Sequence, residues 1–319
     1  MATLRILLAL LCVICGVETS AAQTFPNKPV RLILWGPGSF PDIVARRMKE
    51  HLAAKWGQTV IVENRAGAGG LLAAATGVQA PPDGHTLVWG DPVSWAFNQE
   101  GGKGGSNATS QLVPVSLVVE VPMAVFVSSK FPAKTLPELF AYAKAQPKPL
   151  QYASPGILSF HHLVLALLAE RGGIKMQHVP YRTISQITID VASGDIAVSL
   201  GGLGSVVGFL NDGRIRALAW TGERRFEGLK DVPTVIEQGI PNFALSIKAG
   251  FFVHKDTPPE LVALLSRDLG EAARAADVVK FVTGAGAIPV GSSPEEFKRA
   301  AAKDIELFTA VAERETAPK

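Results

Sequence analysis

The chain has 319 residues, with 31 Lys and Arg against 28 Asp and Glu, a formal charge of +3, and 31 Gly, 22 Pro and 2 Cys. The positive charge is diffuse, and no Lys/Arg cluster carries interleaved aromatics, which argues against nucleic-acid binding. Both cysteines, Cys12 and Cys15, fall in the first apolar stretch, so the remainder has no disulfide, cysteine nucleophile or thiolate metal site.

Arg5 precedes an apolar run, Ile6–Val17, as long as a signal h-region and too short to span a bilayer. Ser20-Ala21-Ala22 supplies small residues for cleavage. This predicts a signal peptide over 1–22, a mature chain from Gln23 and export to the periplasm. About 300 residues then remain, enough for one large domain or two medium ones.

The stretch Val30 to Arg47 reads VRLILWGPGSFPDIVARR. Val30–Leu34 predicts a buried strand, Trp35–Ser39 a break, and the residues from Asp42 a helix. A strand, a glycine-bearing loop and a helix start leave backbone N–H groups unpaired beside a positive helix end, a corner suited to anions. The plainer reading is a βα turn with Asp42 as helix N-cap.

Further along, Thr59–Glu63 reads as a strand, and Asn64–Gly70 leads into a small-residue helix from Leu71 to about Gln79. A dinucleotide motif fits poorly, because GxGxxG would need glycine at Leu72. His85–Trp89 is a third strand, Gly90–Asn98 a loop, and Gly101–Ser110 a mobile surface loop. Strand resumes at Val113–Val127, followed by a helix at Leu136–Ala145 with Pro137 in its first turn.

A second series starts at Leu150–Ala153 (strand), Ser154–Phe160 (loop) and His161–Arg171 (helix). Met176–Pro180 is a strand, Thr183–Ala192 a helix, Ile196–Leu200 a strand, Gly201–Ser205 a glycine loop and Arg216–Trp220 a strand. Ser246–Val253 is another strand, and Pro258–Ala275 one long helix. Pro294–Glu313 is amphipathic, with Phe297, Ala301, Ile305, Phe308 and Val311 on one face. Alternating β and α argues for an α/β fold with parallel sheets covered by helices. Two sheets, joined by crossovers near Val121–Val127 and Ser246–Val253, predict two lobes with a cleft. The loops at Trp35–Pro41, Gly90–Asn98, Ser154–Ser159 and Gly201–Ser205 fall at strand C-termini, where ligands of such sheets bind.

The segments FPNKPVRLIL (Phe25–Leu34), Gly36-Pro37-Gly38 through Arg46, VIVENRAGAGG (Val60–Gly70), PPDGHTLVWG (Pro81–Gly90), VPVSLV (Val113–Val118), PAKTLPEL (Pro132–Leu139), HVPY (His178–Tyr181), RALA (Arg216–Ala219), DVPTVIEQGIP (Asp231–Pro241) and PVGSSPEEF (Pro289–Phe297) together resemble the Bug/TctC family. Those are periplasmic solute-binding proteins of tripartite tricarboxylate transporters. The resemblance implies a type II-like Venus-flytrap fold, with lobe 1 over 23–122 and 250–319 and lobe 2 over 123–249. It implies a small carboxylate ligand, membrane permease subunits as partners, a monomer, and no catalysis, metal or cofactor. A periplasmic sensor partner of a membrane signalling protein is the alternative that shares fold and ligand.

Carried over by resemblance, the first loop supplies Gly38, Ser39 and Asp42, with Trp35 and Phe40 beside them. The second supplies Asp91, Ser94 and Trp95, and the third Ser154, Gly156, Ser159 and His162. Tyr181 and Gly201 complete the expected site, Tyr181 facing either cleft or core, and His162 either ligand or a backbone partner. Departures from the family pattern, among them Phe40, Pro41, Trp35, Trp95 and Ile157-Leu158, make these loops more apolar and poorer in donors. They point to an aromatic or apolar monocarboxylate rather than a tricarboxylate. Enzyme chemistry has little support: GxSxG and HExxH are absent, and His161 and His162, adjacent on a helix, diverge by about 100°, which disfavours zinc.

Overall fold

The computed structural model describes residues 25–67, 70–97 and 109–317. The signal segment, Asn98 and nearly all of the Gly101–Ser110 stretch lie outside the described residues. The first half contains β1 (Val30–Leu34), α1 (Phe40–Trp56), β2 (Val60–Asn64), α2 (Leu71–Val78), β3 (Thr86–Gly90), α3 (Pro92–Phe97) and the 17-residue strand β4 (Leu112–Ser128). The second contains α4 (Leu136–Ala145), β5 (Leu150–Ser154), α5 (Phe160–Gly172), β6 (Met176–Pro180), α6 (Ile184–Ser193), β7 (Val198–Gly202), α7 (Leu203–Asn211) and β8 (Ile215–Trp220). The chain then returns through β9 (Ser246–His254), α8 (Pro259–Ala273), α9 (Ala276–Gly284), β10 (Ile288–Pro289) and α10 (Pro294–Thr316).

The two expected sheets are halves of one curled mixed sheet, in the order β2-β1-β3-β9-β4-β7-β5-β6, with β8 and β10 also paired to β4. β4 joins them. Its first part, Leu112–Pro122, runs antiparallel to β9, and from Met123 onward it runs antiparallel to β7 and β8. A strand of this length spans about 55 Å, so it can serve both halves. Register shifts at Pro114/Ser116, Leu117/Val119 and Val125/Phe126 mark its irregularities, and such irregularities bend strands. β9 pairs along its length with β3 and β4 in the first half, so the second crossing lies at Leu245–Ser246 rather than along β9.

Each half has its own core. Val30, Leu32, Leu34, Met48, Phe251 and Leu265 fill the first, and Val125, Val127, Leu163, Leu165, Leu168 and Phe243 fill the second. α10 touches both. Phe297 meets Phe252 at 5.1 Å between ring centroids, and Phe308 meets Phe160 of α5 at 5.6 Å. Between them Asp304 receives Lys248 Nζ of β9 at 2.8 Å.

Three helices depart from the sequence reading. α3 replaces part of the Gly90–Asn98 loop, because Asp91 caps it and Pro92 opens it without losing a needed N–H. α7 begins inside the Gly201–Ser205 stretch despite Gly204 and Gly208, where burial of Leu203 and Val206 outweighs low helix propensity. α8 ends at Ala273 as expected, but a further helix, α9, follows at once, with Ala275 in extended backbone as its N-cap. No glycine or proline marks that junction.

Candidate functional site

At the end of β1 the chain turns through Trp35–Ser39 into α1. Gly38 has φ +70°, which glycine reaches without strain. Ser39, not Asp42, caps the helix: its Oγ accepts the Asp42 N–H at 3.5 Å and donates to Gly36 O at 2.5 Å. Asp42 is buried and reaches back. Its Oδ2 accepts from Gly38 N–H at 3.0 Å and Arg46 Nε–H at 2.9 Å, and its Oδ1 from Asn64 Nδ2–H at 2.7 Å. Burial works to raise the carboxyl, but the bonds from Arg46, Asn64 and Gly38 outweigh it and hold the pKa below the ordinary value. Asp42 is therefore an ionised carboxylate seated where the corner would take an anion. Pro41 has no N–H, so the Phe40 amide, without a partner among the described residues, is the one free donor at the start of α1.

The end of β5 repeats this construction. Ser159 caps α5, with Oγ accepting the His162 N–H at 3.3 Å and donating to Gly156 O at 2.8 Å. His162, three residues after the cap and 2% exposed, reaches back as Asp42 does. Its Nδ1 accepts the Leu158 N–H at 2.9 Å. Leu158 has φ +59°, matching Gly38, and Gly156 has φ +151°. Ser154 is wholly buried and lies 2.7 Å from His178 Nε2 and 2.8 Å from Gly156 O. The His162 and His178 rings stack at 4.0 Å. Burial pushes both down to about 4, aided at His178 by His162, so both are neutral at pH 7. The Phe160 and His161 amides have no partner among the described residues.

The other expected residues are placed as follows. Asp91 caps α3, its Oδ1 accepting from Val93 N–H (3.0 Å) and Ser94 N–H (3.3 Å), its Oδ2 from Ser94 Oγ–H (2.7 Å). Burial raises it to about 6 against the pull of those bonds, and the Asp304 charge adds to the rise. Trp95 is buried against Phe252, at 4.8 Å between centroids. A Cβ on Gly70 would stand 3.2 Å from Trp35 Cδ1 and 3.5 Å from Trp95 Nε1, so both indoles close around that glycine. Phe40 stacks on Phe281 of α9 at 5.8 Å. Gly201 packs inside the second half, where a Cβ would come within 2.8 Å of Val206 and 3.2 Å of Phe126. Gly202 starts α7 without a side-chain cap. Tyr181 donates its hydroxyl to Asp190 of α6 at 2.6 Å, and burial with Asp190 raises it to about 12.

The α3 and α7 ends of the second and fourth loops lie where the two halves meet. Val93 of α3 belongs to the second core, and Gly286 of the α9–β10 turn approaches Leu203, the first residue of α7, so closely that a Cβ there would stand 2.9 Å from Leu203 Cβ. Among the described residues, no group of three or more His, Cys, Asp or Glu is placed to hold a metal ion. Sequence reasoning gave no site role to Asn64, Arg46 and Glu315, and took Leu158 only as an apolar departure in its loop. Its available signal was the shared spacing Ser39-x-x-Asp42 and Ser159-x-x-His162, in which a polar residue three after a serine cap turns back toward the preceding loop.

Residues 44–315 match the family described as the tripartite tricarboxylate transporter family receptor. The protein BugT of Bordetella pertussis is 30% identical over 303 residues, covering 94% of this chain and 92% of its own. A Pseudomonas protein encoded in a tcbD-tcbE intergenic region is 31% identical, covering 86% and 82%. Among solved structures, Rpa4515 of R. palustris with adipate superimposes with a TM-score of 0.78 at 27% identity, covering 91% of this chain and 98% of that one. MatC from Rhodopseudomonas palustris with bound malate gives 0.73 at 27%, covering 90% and 100%. The fold is that of two-lobed periplasmic binding proteins, and the chain belongs to the tripartite tricarboxylate transporter receptor family.

Proposed function

We propose that this protein is an exported receptor that closes its two lobes on a small carboxylate and hands it unaltered to the permease subunits of a tripartite transporter. The lobes divide at Pro122/Met123 and again near Leu245/Ser246, where β4 changes partners and the chain returns to the first half. The observation that carries the reading is the pair of matched corners, each ending in a serine-capped helix at a strand C-terminus. Amide donors of this kind bind carboxylates through charge-assisted hydrogen bonds of roughly 1.5–3 kcal/mol each, enough for reversible capture when several act together. The solved relatives bound to adipate and malate support a carboxylate.

The ligand's finer character follows from the walls. Residues 35–41, 90–97, 154–159 and 201–205 contain no Lys or Arg. Asp42 already fills the first corner, and Trp35 and Trp95 meet around Gly70. This favours one carboxylate on the α5 side and an apolar or aromatic body toward Trp35, the partly exposed one of the two indoles. Thermal-shift and titration calorimetry with benzoate, adipate, malate and citrate test it. Benzoate-type acids should bind and raise Tm in proportion to occupancy. Tight citrate binding without benzoate binding overturns the monocarboxylate reading, and chemical conversion of a bound acid overturns the receptor reading.

A further inference from the structure

The two corners are built alike but finished with different chemistry. In both, the serine cap donates to the carbonyl three residues back, the residue before the cap has a left-handed backbone, and its N–H goes to the side chain four residues later. In the first corner that side chain is the Asp42 carboxylate, and in the second it is the His162 imidazole.

Because Leu158 donates to Nδ1, that nitrogen carries a lone pair and the ring proton of the neutral form sits on Nε2. Nε2 is buried, makes no hydrogen bond, and lies 3.3 Å from Glu315 Oε2 near the end of α10. A carboxylate there favours the Nε2–H tautomer and leaves Nδ1 as the acceptor. The other face of the ring stacks on His178, which in turn meets Ser154 of the same loop. The ring is therefore fixed on several sides, and it fixes a non-glycine residue in a left-handed conformation that L side chains rarely adopt.

We propose that His162 is the positioning residue of the ligand corner: it locks Leu158 and the Ser154–Ser159 loop through an uncharged acceptor, so the group that holds the loop does not itself bring a negative charge beneath the amides as Asp42 does. A carboxylate at this position would repel an anion at the neighbouring Phe160 and His161 amides, whereas a neutral ring leaves their attraction intact. This rests on the carboxylate reading of the cleft, and the test separates the two.

Four proteins suffice: the wild-type mature chain and its His162→Asn, His162→Asp and His162→Leu variants. Asn places a neutral acceptor where Nδ1 stands, Asp a charged one of the same shape, and Leu none. Three quantities are read: amide exchange at Leu158, benzoate affinity and Tm. His162→Asn should keep Leu158 protected and benzoate affinity within a few-fold of wild type. His162→Leu should speed Leu158 exchange about tenfold or more, beyond any change at amides of equal stability elsewhere. His162→Asp should keep protection but weaken benzoate about tenfold or more relative to Asn. Ring ¹⁵N shifts should show the Nε2–H tautomer at His162.

Equal Leu158 exchange in the Leu and Asn variants overturns the positioning role, and so does an Nδ1–H tautomer. Equal benzoate affinity in the Asp and Asn variants overturns the charge argument. If the Asp variant does not fold, the Asn and Leu pair and the tautomer still decide the positioning role. If wild type does not bind benzoate, the monocarboxylate reading of the cleft falls, while Leu158 exchange and the tautomer still decide whether His162 holds the loop.

Discussion

The first corner, Trp35–Asp42, and the third, Ser154–His162, show how one backbone device can be given opposite electrostatics. At its helix start the first leaves a single amide, Phe40, unpaired over a buried carboxylate, because Pro41 follows it. The helix start of the third leaves two, Phe160 and His161, over a neutral ring. Arg46 balances Asp42, but its side chain is 53% exposed, so water screens much of what it contributes. The comparison teaches that a helix N-terminus is not an anion site by position alone. What the third helical residue brings beneath it decides whether a ligand or the protein's own carboxylate occupies the seat.

The largest effect should come from removing the internal anion. Asp42→Ala leaves Gly38 N–H, Asn64 Nδ2 and Arg46 without their shared acceptor, and should cost about 2–3 kcal/mol, measured as a shift in urea midpoint at constant slope. Asp42→Asn should cost less and should not weaken benzoate. A fall in benzoate affinity with Asp42→Asn would mean that the carboxylate helps the ligand, against the contrast drawn between the corners.

The next effect concerns acid. The folded-state pKa of Asp91, about 6, lies above its ordinary 3.8, so its contribution to stability is full below about 4 and is lost as pH rises through 6. The folded-state pKa of His162, about 4, lies below its ordinary 6.5. Its contribution is full above 6.5 and is lost as pH falls toward 4. The two therefore oppose each other between pH 4 and 6. Asp91→Asn keeps an acceptor for Val93 and Ser94 but removes the opposing term. At pH 7 the variant should be at least as stable as wild type, and its loss between pH 7 and 4 should be greater by about 1–2 kcal/mol. Urea midpoints at pH 4, 5, 6 and 7 check this, and parallel curves would mean that Asp91 titrates as an ordinary carboxyl.

Much of this architecture was legible from periodicity. Val30–Leu34, Leu136–Ala145 and Met176–Pro180 are where the alternation and turn residues place them. The resemblance to the receptor family, carried by motifs spread along the chain, is matched by the comparisons over residues 44–315. What escaped depended on side chains meeting across sequence distance. Asn64 and Asp42 are 22 residues apart, His178 and Ser154 24, and Glu315 and His162 153. No local pattern announces such partners. The start of α7 was hidden because Gly201-Gly202-Leu203-Gly204 has loop composition, yet Leu203 is held by Gly286 from the far half. Trp95 reads as a cleft aromatic on its loop, but the bare Cα of Gly90 gives its ring a place in the core.

Two backbone substitutions sharpen the comparison further. Gly38 and Leu158 hold matching left-handed positions, yet only one is glycine. Gly38→Val has open space for its Cβ but must strain at φ +70°, a cost of about 1–2 kcal/mol, and its branched side chain should block ligand-induced closure. Unchanged benzoate affinity in that variant would argue against ligand contact at the first corner.

Leu158→Gly runs the other way and should have the smallest effect. Glycine relieves about 1–2 kcal/mol of strain, but it gives up roughly 0.5–1 kcal/mol to the freer unfolded chain. It also loses the contacts that Leu158, partly buried, makes with the second core, a further loss of about 1 kcal/mol. The sum should lie between about −1 and +0.5 kcal/mol, read from urea midpoints. The variant also separates strain from function. With the His162 acceptor still present, the Leu158→Gly loop should bind benzoate as wild type does if the hydrogen bond sets the turn. If instead the leucine side chain sets it by packing, affinity should fall while stability holds, and the role given to His162 would pass to the core beneath it.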